Sequence, residues 1–386
     1  MSHLSLYLHI PFCLHKCGYC DFNTYALDGL LESGHVGRDW AAGYAEALMA
    51  EMEGRAGRGG LAGARVATVF FGGGTPSLFP AEETARVLDR ARALFEIAPD
   101  AEITLEANPG AADAGRFAAL RAAGVNRLSI GVQSFEDGGL GRLDRVHTGE
   151  EARAAFRAAR EAGFDNLSLD LMFGIPFQTV EGAGQDTEDA IRLGPEHLSA
   201  YELTVEKGTT FSVRMARREL KGLPEEETAL EMWRLRDRLL GEAGYARYEI
   251  SNFARAGFEC HHNLNYWRRG AYLGLGAGAH GFLGGRRYWN RLRPDDYMKN
   301  SSDPTAGEEE VRGEKALGEA IMLGLRLMEG VSLDALAAAC GESPDVRFGP
   351  LIDQLKKDGF LARENGTLRL TERGTLVANS VLARFV

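Results

Sequence analysis

Short runs of apolar and β-branched residues alternate with alanine-rich amphipathic stretches through the first half of the chain. This is the pattern of βα units laid around a parallel sheet. The runs predict strands at Leu4–His9, Val66–Phe71, Ile103–Glu106, Arg127–Gly131, Leu167–Phe173 and His197–Leu203. The amphipathic stretches predict helices near Trp40–Arg55, Ala81–Phe95, Asp113–Ala123, Glu150–Ala162 and Val180–Leu193. Gly54 to Ala64, nearly all Gly, Ala and Arg, reads as a surface loop with little to pack. Six strands in series predict an α/β fold, a partial TIM-type (β/α)6 barrel, with a doubly wound open sheet as the alternative. In either architecture ligands gather at the carboxyl ends of the strands.

The pattern changes after Pro304. Helices are expected at Gly313–Met328, Leu333–Ala339 and Phe348–Asp358, then a hairpin turning at Asn365-Gly366, then a last helix from Glu372. Three helices and a hairpin make a mainly helical, winged-helix-like domain, so the expected division is 1–300 and 301–386. Winged helices often bind DNA, but residues 301–386 hold ten Lys and Arg against fourteen Asp and Glu, a net of −4. The whole chain of 386 residues carries −11. A broad phosphate-binding face needs the opposite sign, so no nucleic-acid partner is expected and the C-terminal domain reads as a packing or lid domain.

With 45% hydrophobic and 26% charged residues, the composition supports an ordinary globular core. No stretch reaches the ~18–20 apolar residues of a membrane span. The N-terminal residues lack a basic region followed by an apolar core, so no signal peptide is expected. Five cysteines, three of them crowded together, make no disulfide framework and point to a reducing cytoplasm.

Those three, Cys13, Cys17 and Cys20, lie in the loop after the first strand with CxxxCxxC spacing. Three thiolates suit an iron–sulfur cluster that keeps one iron free of protein. A structural zinc site would want a fourth ligand, His9 or His15, and zinc motifs usually come as two pairs. After the second strand comes Phe71-Gly-Gly-Gly-Thr-Pro-Ser, where missing side chains let a small ligand approach the backbone. Glu106, Gln133 and Asp170 stand in or just past further strands, the residue types expected around a nucleoside. A buried carboxylate needs a partner, and Arg127 or Arg145 could instead supply a salt bridge to either acid. Glu259-Cys-His-His-Asn-Leu-Asn-Tyr-Trp gathers a thiol, two imidazoles and two aromatic rings. Haem would suit that set, although by residue type alone a solvated histidine pair beside a core Tyr-Trp is the better reading. The glycine-rich run from Tyr272 to Gly281 is expected to line the same cavity, and His147 and Cys340 join no constellation.

The cysteine run, the Gly-Gly-Gly-Thr-Pro-Ser turn, Ser-Ile-Gly-Val-Gln-Ser-Phe and Leu-Asp-Leu-Met-Phe-Gly-Ile-Pro together resemble the radical SAM proteins related to oxygen-independent coproporphyrinogen III dehydrogenase. The likeness runs in order through nearly the whole chain. It is closer to the haem chaperones of that group, for two reasons. The dehydrogenase pattern has a further cysteine two residues past the third, where this chain has Phe22, and His262-Asn-Leu-Asn-Tyr-Trp267 matches the HNxxYW signature of the chaperones.

The resemblance implies a [4Fe-4S] cluster on Cys13, Cys17 and Cys20, with S-adenosylmethionine (SAM) on the open iron. It implies a SAM site of Tyr7, Tyr19, Gly73, Gly74, Thr75, Glu106, Gln133, Arg145, Asp170 and Thr204, the last placed by spacing where the family differs. Haem falls to His262, with Cys260 and His261 as neighbours. The implied activity is to hold haem and hand it to an acceptor protein, with a flavodoxin- or ferredoxin-type electron donor. Oxidative decarboxylation of coproporphyrinogen III propionates is the alternative, and an iron–sulfur scaffold binding neither ligand is a third reading.

Overall fold

The structure, a computed structural model, describes residues 4–111 and 114–386; the expected helix start at Asp113 lies outside them. The six expected strands form in place: β1 (Leu4–Ile10), β2 (Arg65–Gly73), β3 (Glu96–Ala107), β4 (Arg127–Gln133), β5 (Leu167–Phe173) and β6 (His197–Glu202). They lie side by side in chain order, each parallel to the next. Nearly every residue of β1, β4 and β5 is buried, as expected for strands covered on both faces. Their Leu, Ile and Val side chains form the main core with the helices outside the sheet.

Sheet growth does not stop at six. Tyr272–Leu275 joins the free edge of β1 in parallel, and His280–Leu283, Arg286–Asn290 and Thr305–Glu310 extend it antiparallel. On the other side Asn252–Ala254 and Ala246–Arg247 cover β6. The result is one open sheet of twelve strands, a partial barrel. The glycine-rich segment from Tyr272 therefore makes two strands of this sheet, Tyr272–Leu275 and His280–Leu283, joined by a turn. Gly274 and Gly281 leave room that a side chain would take from the neighbouring strand's His280 carbonyl and the Tyr288 ring.

The expected loop from Gly54 is also corrected, because the helix from Trp40 runs on to Arg58. Tertiary contacts outweigh weak local propensity there. Ala56 is buried, and Arg55 pairs with the buried Glu51 at 2.6 Å and lies 3.7 Å over the Tyr288 ring.

At the C-terminal end, helices Gly313–Gly324, Leu333–Cys340 and Pro344–Lys357 precede a hairpin of Leu361–Glu364 and Thr367–Leu370. Asn365 and Gly366 both take positive φ, as the tightest hairpin turn requires. The last helix is two short ones, Glu372–Leu376 and Ala378–Leu382. These elements share a separate small core built on Leu317, Ile321, Ile352, Leu355 and Leu368. Among the described residues no helix is long and apolar enough to cross a membrane.

Candidate functional site

Strand β1 ends at Ile10, and the chain crosses the carboxyl ends of the strands as the cysteine loop. Two contacts pin it. Phe211, fully buried, donates its backbone N–H to the Gly18 carbonyl at 2.8 Å, and Gly18 is packed so closely that a Cβ would lie 2.7 Å from the Phe211 ring. His9 is fixed by the Tyr7 hydroxyl at 2.9 Å and the Asn23 carbonyl at 2.9 Å.

Cys13, Cys17 and Cys20 then line one cavity of about 140 Å³ together with Tyr19, Gly73, Gly74, Thr75, Glu106, Gln133, Arg145 and Asp170. Of the expected site residues, the structure thus brings these together and leaves out Tyr7, Thr204 and His262. Phe22, which replaces the further cysteine of the dehydrogenase pattern, shares the lining, as do Thr24, Asn108 and Ser129, which had no sequence signal of their own. Thr75 Oγ1 donates to Cys13 Sγ at 3.5 Å, and an Arg145 nitrogen donates to Cys17 Sγ at 3.7 Å. Burial pushes the Cys13 thiol up, and the Thr75 hydroxyl works against that rise. Among the described residues no three His, Cys, Asp or Glu side chains are placed to share a single metal ion. The thiols instead border a common space, which suits a cluster in which each iron takes its own thiolate.

The carboxylates sit on the cavity floor. Glu106 accepts the Gly73 N–H at 3.0 Å, and Asp170 accepts the Ser129 hydroxyl at 3.1 Å. Among the described residues neither acid forms an ion pair with Arg127 or Arg145; Arg145 is turned to the Gly131 carbonyl at 2.6 Å. Burial, and then the neighbouring Asp170 charge, lift the Glu106 carboxyl to about 7. Burial lifts Asp170 as well, against its serine donors. Two carboxyls whose ionisation burial opposes share this cavity, and a cationic ligand would favour their charged forms.

Gln133 ends β4 with φ of 67°, a left-handed conformation uncommon outside glycine, which aims its amide into the cavity. Replacing it by glycine relieves that strain, so Gln133→Gly is expected to unfold at equal or up to about 1 kcal/mol higher stability while losing affinity for the cavity ligand. Paired thermal unfolding and ligand titration check this; a variant that keeps full affinity would remove the amide from the site.

Tyr7 lies below the cavity, where it stacks on Phe70 and bonds to His9. Thr204, exposed after β6, borders a different, polar hollow with Trp233 and Arg236, because the chain beyond Glu202 leaves the sheet. His262 is 1% exposed within the barrel. Its Nδ1 meets Thr68 Oγ1 at 2.7 Å and its Nε2 meets the Tyr266 hydroxyl at 2.9 Å. Thr68 gives its own proton to Ser5, so Nδ1 is the protonated nitrogen and Nε2 accepts from Tyr266. Neither nitrogen faces a cavity. Cys260 is fully buried against Glu102 Oε1 at 3.5 Å, its thiol pushed up to about 12 by burial, and His261 is exposed. Glu102 also accepts the N–H groups of His261 and His262, at 3.0 Å each, and so caps the helix His261–Trp267. His147 is buried against the Val132 carbonyl, away from this cavity.

Residues 7–190 match the radical SAM superfamily, and residues 312–377 match the HemN C-terminal domain. The chain is 40% identical over 381 residues to a Mycobacterium tuberculosis protein named heme chaperone HemW, covering 98% of this chain and 93% of that one. The chain belongs to the HemW family of radical SAM proteins. A HemW of Escherichia coli is 39% identical, covering 99% of this chain and 98% of that one, and a HemW of Bacillus subtilis is 38% identical with 99% of each covered. In fold the chain is similar to coproporphyrinogen III oxidase (HemN) of Escherichia coli, a radical SAM enzyme, with a TM-score of 0.83 at 25% identity over 100% of this chain and 90% of that one. Radical SAM membership implies a [4Fe-4S] cluster and SAM, and HemW relatives carry heme in their name.

Proposed function

We propose that this protein is a haem chaperone: it binds haem and passes it to an acceptor protein, carrying a [4Fe-4S] cluster and SAM as cofactors. The observation that carries this reading is the full-length likeness to the HemW proteins. Phe22 adds to it. The dehydrogenase pattern has a cysteine at this position, whereas here a phenylalanine, 61% exposed, stands at the rim of the cavity.

In this reading Cys13, Cys17 and Cys20 hold the cluster, and Gly73, Gly74, Thr75, Glu106, Gln133, Arg145 and Asp170 hold SAM, with Tyr19 closing one side. Tyr7 supports the floor through His9, and Thr204 lies outside. When bound and reduced, such a cluster supplies one electron to the sulfonium of SAM. The chain's own part is to enclose that space and to offer carboxylates to a cationic ligand.

That role carries a pH signature. Glu106 is raised, so in the ligand-free protein its proton is retained up to about pH 7 and the stability due to the neutral acid is lost as pH rises towards that value. A cation in the cavity needs the ionised form. Affinity for SAM is therefore expected to rise from pH 6 to about 7 and level off above it. The Asp170 charge opposes ionisation of Glu106, whereas the Gly73 N–H and the Arg127 charge favour it. Equilibrium dialysis across this range checks the profile, and Glu106→Gln is expected to flatten it.

The similarity to HemN keeps a second reading in view, oxidative decarboxylation of coproporphyrinogen III. One preparation separates the two. Protein reconstituted without oxygen is titrated with haem and assayed for protoporphyrinogen formation. Stoichiometric haem uptake without turnover is expected; turnover without uptake would contradict the chaperone reading.

A further inference from the structure

A second cavity lies at the other end of the barrel. It measures about 570 Å³, within the range of small-molecule sites, between the helix His261–Trp267, the antiparallel strand pair Tyr272 and Phe282, and the C-terminal-domain helix Gly313–Gly324. Tyr272 is paired with Ser5, whereas the cluster cavity opens beyond Ile10. Five residues of strand put the two cavities roughly 17 Å apart along the barrel.

Its walls are the flat faces and thioether of Trp267, Tyr272, Phe282 and Met322. Two guanidinium groups enter it, Arg269 and Arg287, against one carboxylate, Glu319. Arg269 is held at φ of 53° directly after the motif helix, and its guanidinium lies 4.5 Å over the Phe282 ring. Its Nε makes no hydrogen bond but lies 3.9 Å from the Glu319 carboxylate, another of its nitrogens donates to the Val311 carbonyl at 3.3 Å, and Trp267 Nε1 is buried without a hydrogen-bond partner. Arg287 reaches Glu319 at 2.6 Å and Glu309 at 2.6 Å. Aromatic walls around an apolar space, edged by two forked cations that share Glu319 and Glu309, match a flat macrocycle whose two carboxylates would take the place of those glutamates.

Resting on the chaperone reading, we propose that this cavity is where haem is held. The macrocycle packs against Trp267, Phe282 and Met322, and its propionates meet Arg269 and Arg287. His262 then serves the site from behind. It fixes Tyr266 and so the pitch of the motif helix, whose outer side carries Trp267. Haem and SAM occupy opposite ends of the barrel.

The test is a haem titration followed by Soret absorbance, with SAM binding at the far cavity as the control for an intact fold. Leu323→Trp, which fills the cavity, and Arg269→Gln, which removes a charge at little change in volume, are each expected to weaken haem uptake at least tenfold and leave SAM binding unchanged. On the ligand side, the dimethyl ester of haem, lacking free carboxylates, is expected to bind the wild type at least tenfold more weakly than haem. It should no longer distinguish Arg269→Gln from wild type. Should wild type bind haem while both variants and the ester bind equally well, the cavity is excluded and the chaperone reading stands. Should wild type itself take up no haem, the chaperone reading fails first.

Discussion

Arg127→Met is expected to cost the fold about 3–5 kcal/mol, a drop of roughly 4–6 °C in unfolding temperature for a chain of this size. Arg127 is among the largest wholly buried side chains, at the start of β4. Burial works against its charge, and the nearby carboxylates Glu102 and Asp170 favour it. Glu102 is itself buried and already accepts two backbone N–H groups and the Cys260 thiol. Without the guanidinium, the positive charge that offsets the buried carboxylates Glu102 and Asp170 is gone from the core. Adding Glu102→Gln to Arg127→Met is expected to recover part of the loss, because the neutral amide retains one acceptor for the motif helix. Thermal unfolding of the single and double variants measures both effects. A single variant within 1 kcal/mol of wild type would mean that the two charges are not interdependent.

The second large effect is at Gly73, which closes β2 with φ of 115°. An added Cβ would lie 2.5 Å from His9 Cε1 and 2.6 Å from its Nδ1. The imidazole cannot retreat, because Tyr7 and Asn23 hold its two nitrogens. Backbone strain and overpacking together put the cost of Gly73→Ala at about 2–5 kcal/mol. The same shift pulls the Gly73 N–H from Glu106, so SAM affinity is expected to fall about tenfold or more. Reconstituted cluster absorbance and a SAM titration on the variant read the two consequences separately. Wild-type affinity in the alanine variant would show that this turn is not part of the site.

How far the sequence reached can be judged from particular elements. The six barrel strands were legible because each is a short apolar run followed by an amphipathic one, and each pairs with its sequence neighbour. The cysteine loop, the glycine turn, Glu106, Gln133 and Asp170 were legible for a related reason: strand ends converge in a parallel sheet, so residues at strand ends meet. The later strands were hidden, since Tyr272–Leu275 pairs with Leu4–Ile10, and no local pattern announces a partner so distant in sequence. The helix through Arg58 was hidden likewise, held by Asn290 and Tyr288 from the far end of the sheet.

The haem segment shows the limit most clearly. The motif named the right helix, but sequence alone could not say which of its faces meets a ligand. The partner that decides this for His262 is Thr68, 194 residues away, whose hydroxyl oxygen accepts a hydrogen bond from Nδ1 inside the barrel. Arg269, Arg287, Phe282 and Met322 come from four separate elements and share no motif, so the second cavity had no signature to find.

The claim beneath the whole account is that three thiols border one cavity and leave an iron for an exchangeable ligand. Mössbauer spectroscopy of protein reconstituted with iron-57 in the absence of oxygen, before and after SAM, addresses it directly. A four-iron cluster in which one iron changes its isomer shift on adding SAM is the expected result. Zinc in place of iron, or a four-iron spectrum that SAM does not move, would contradict it.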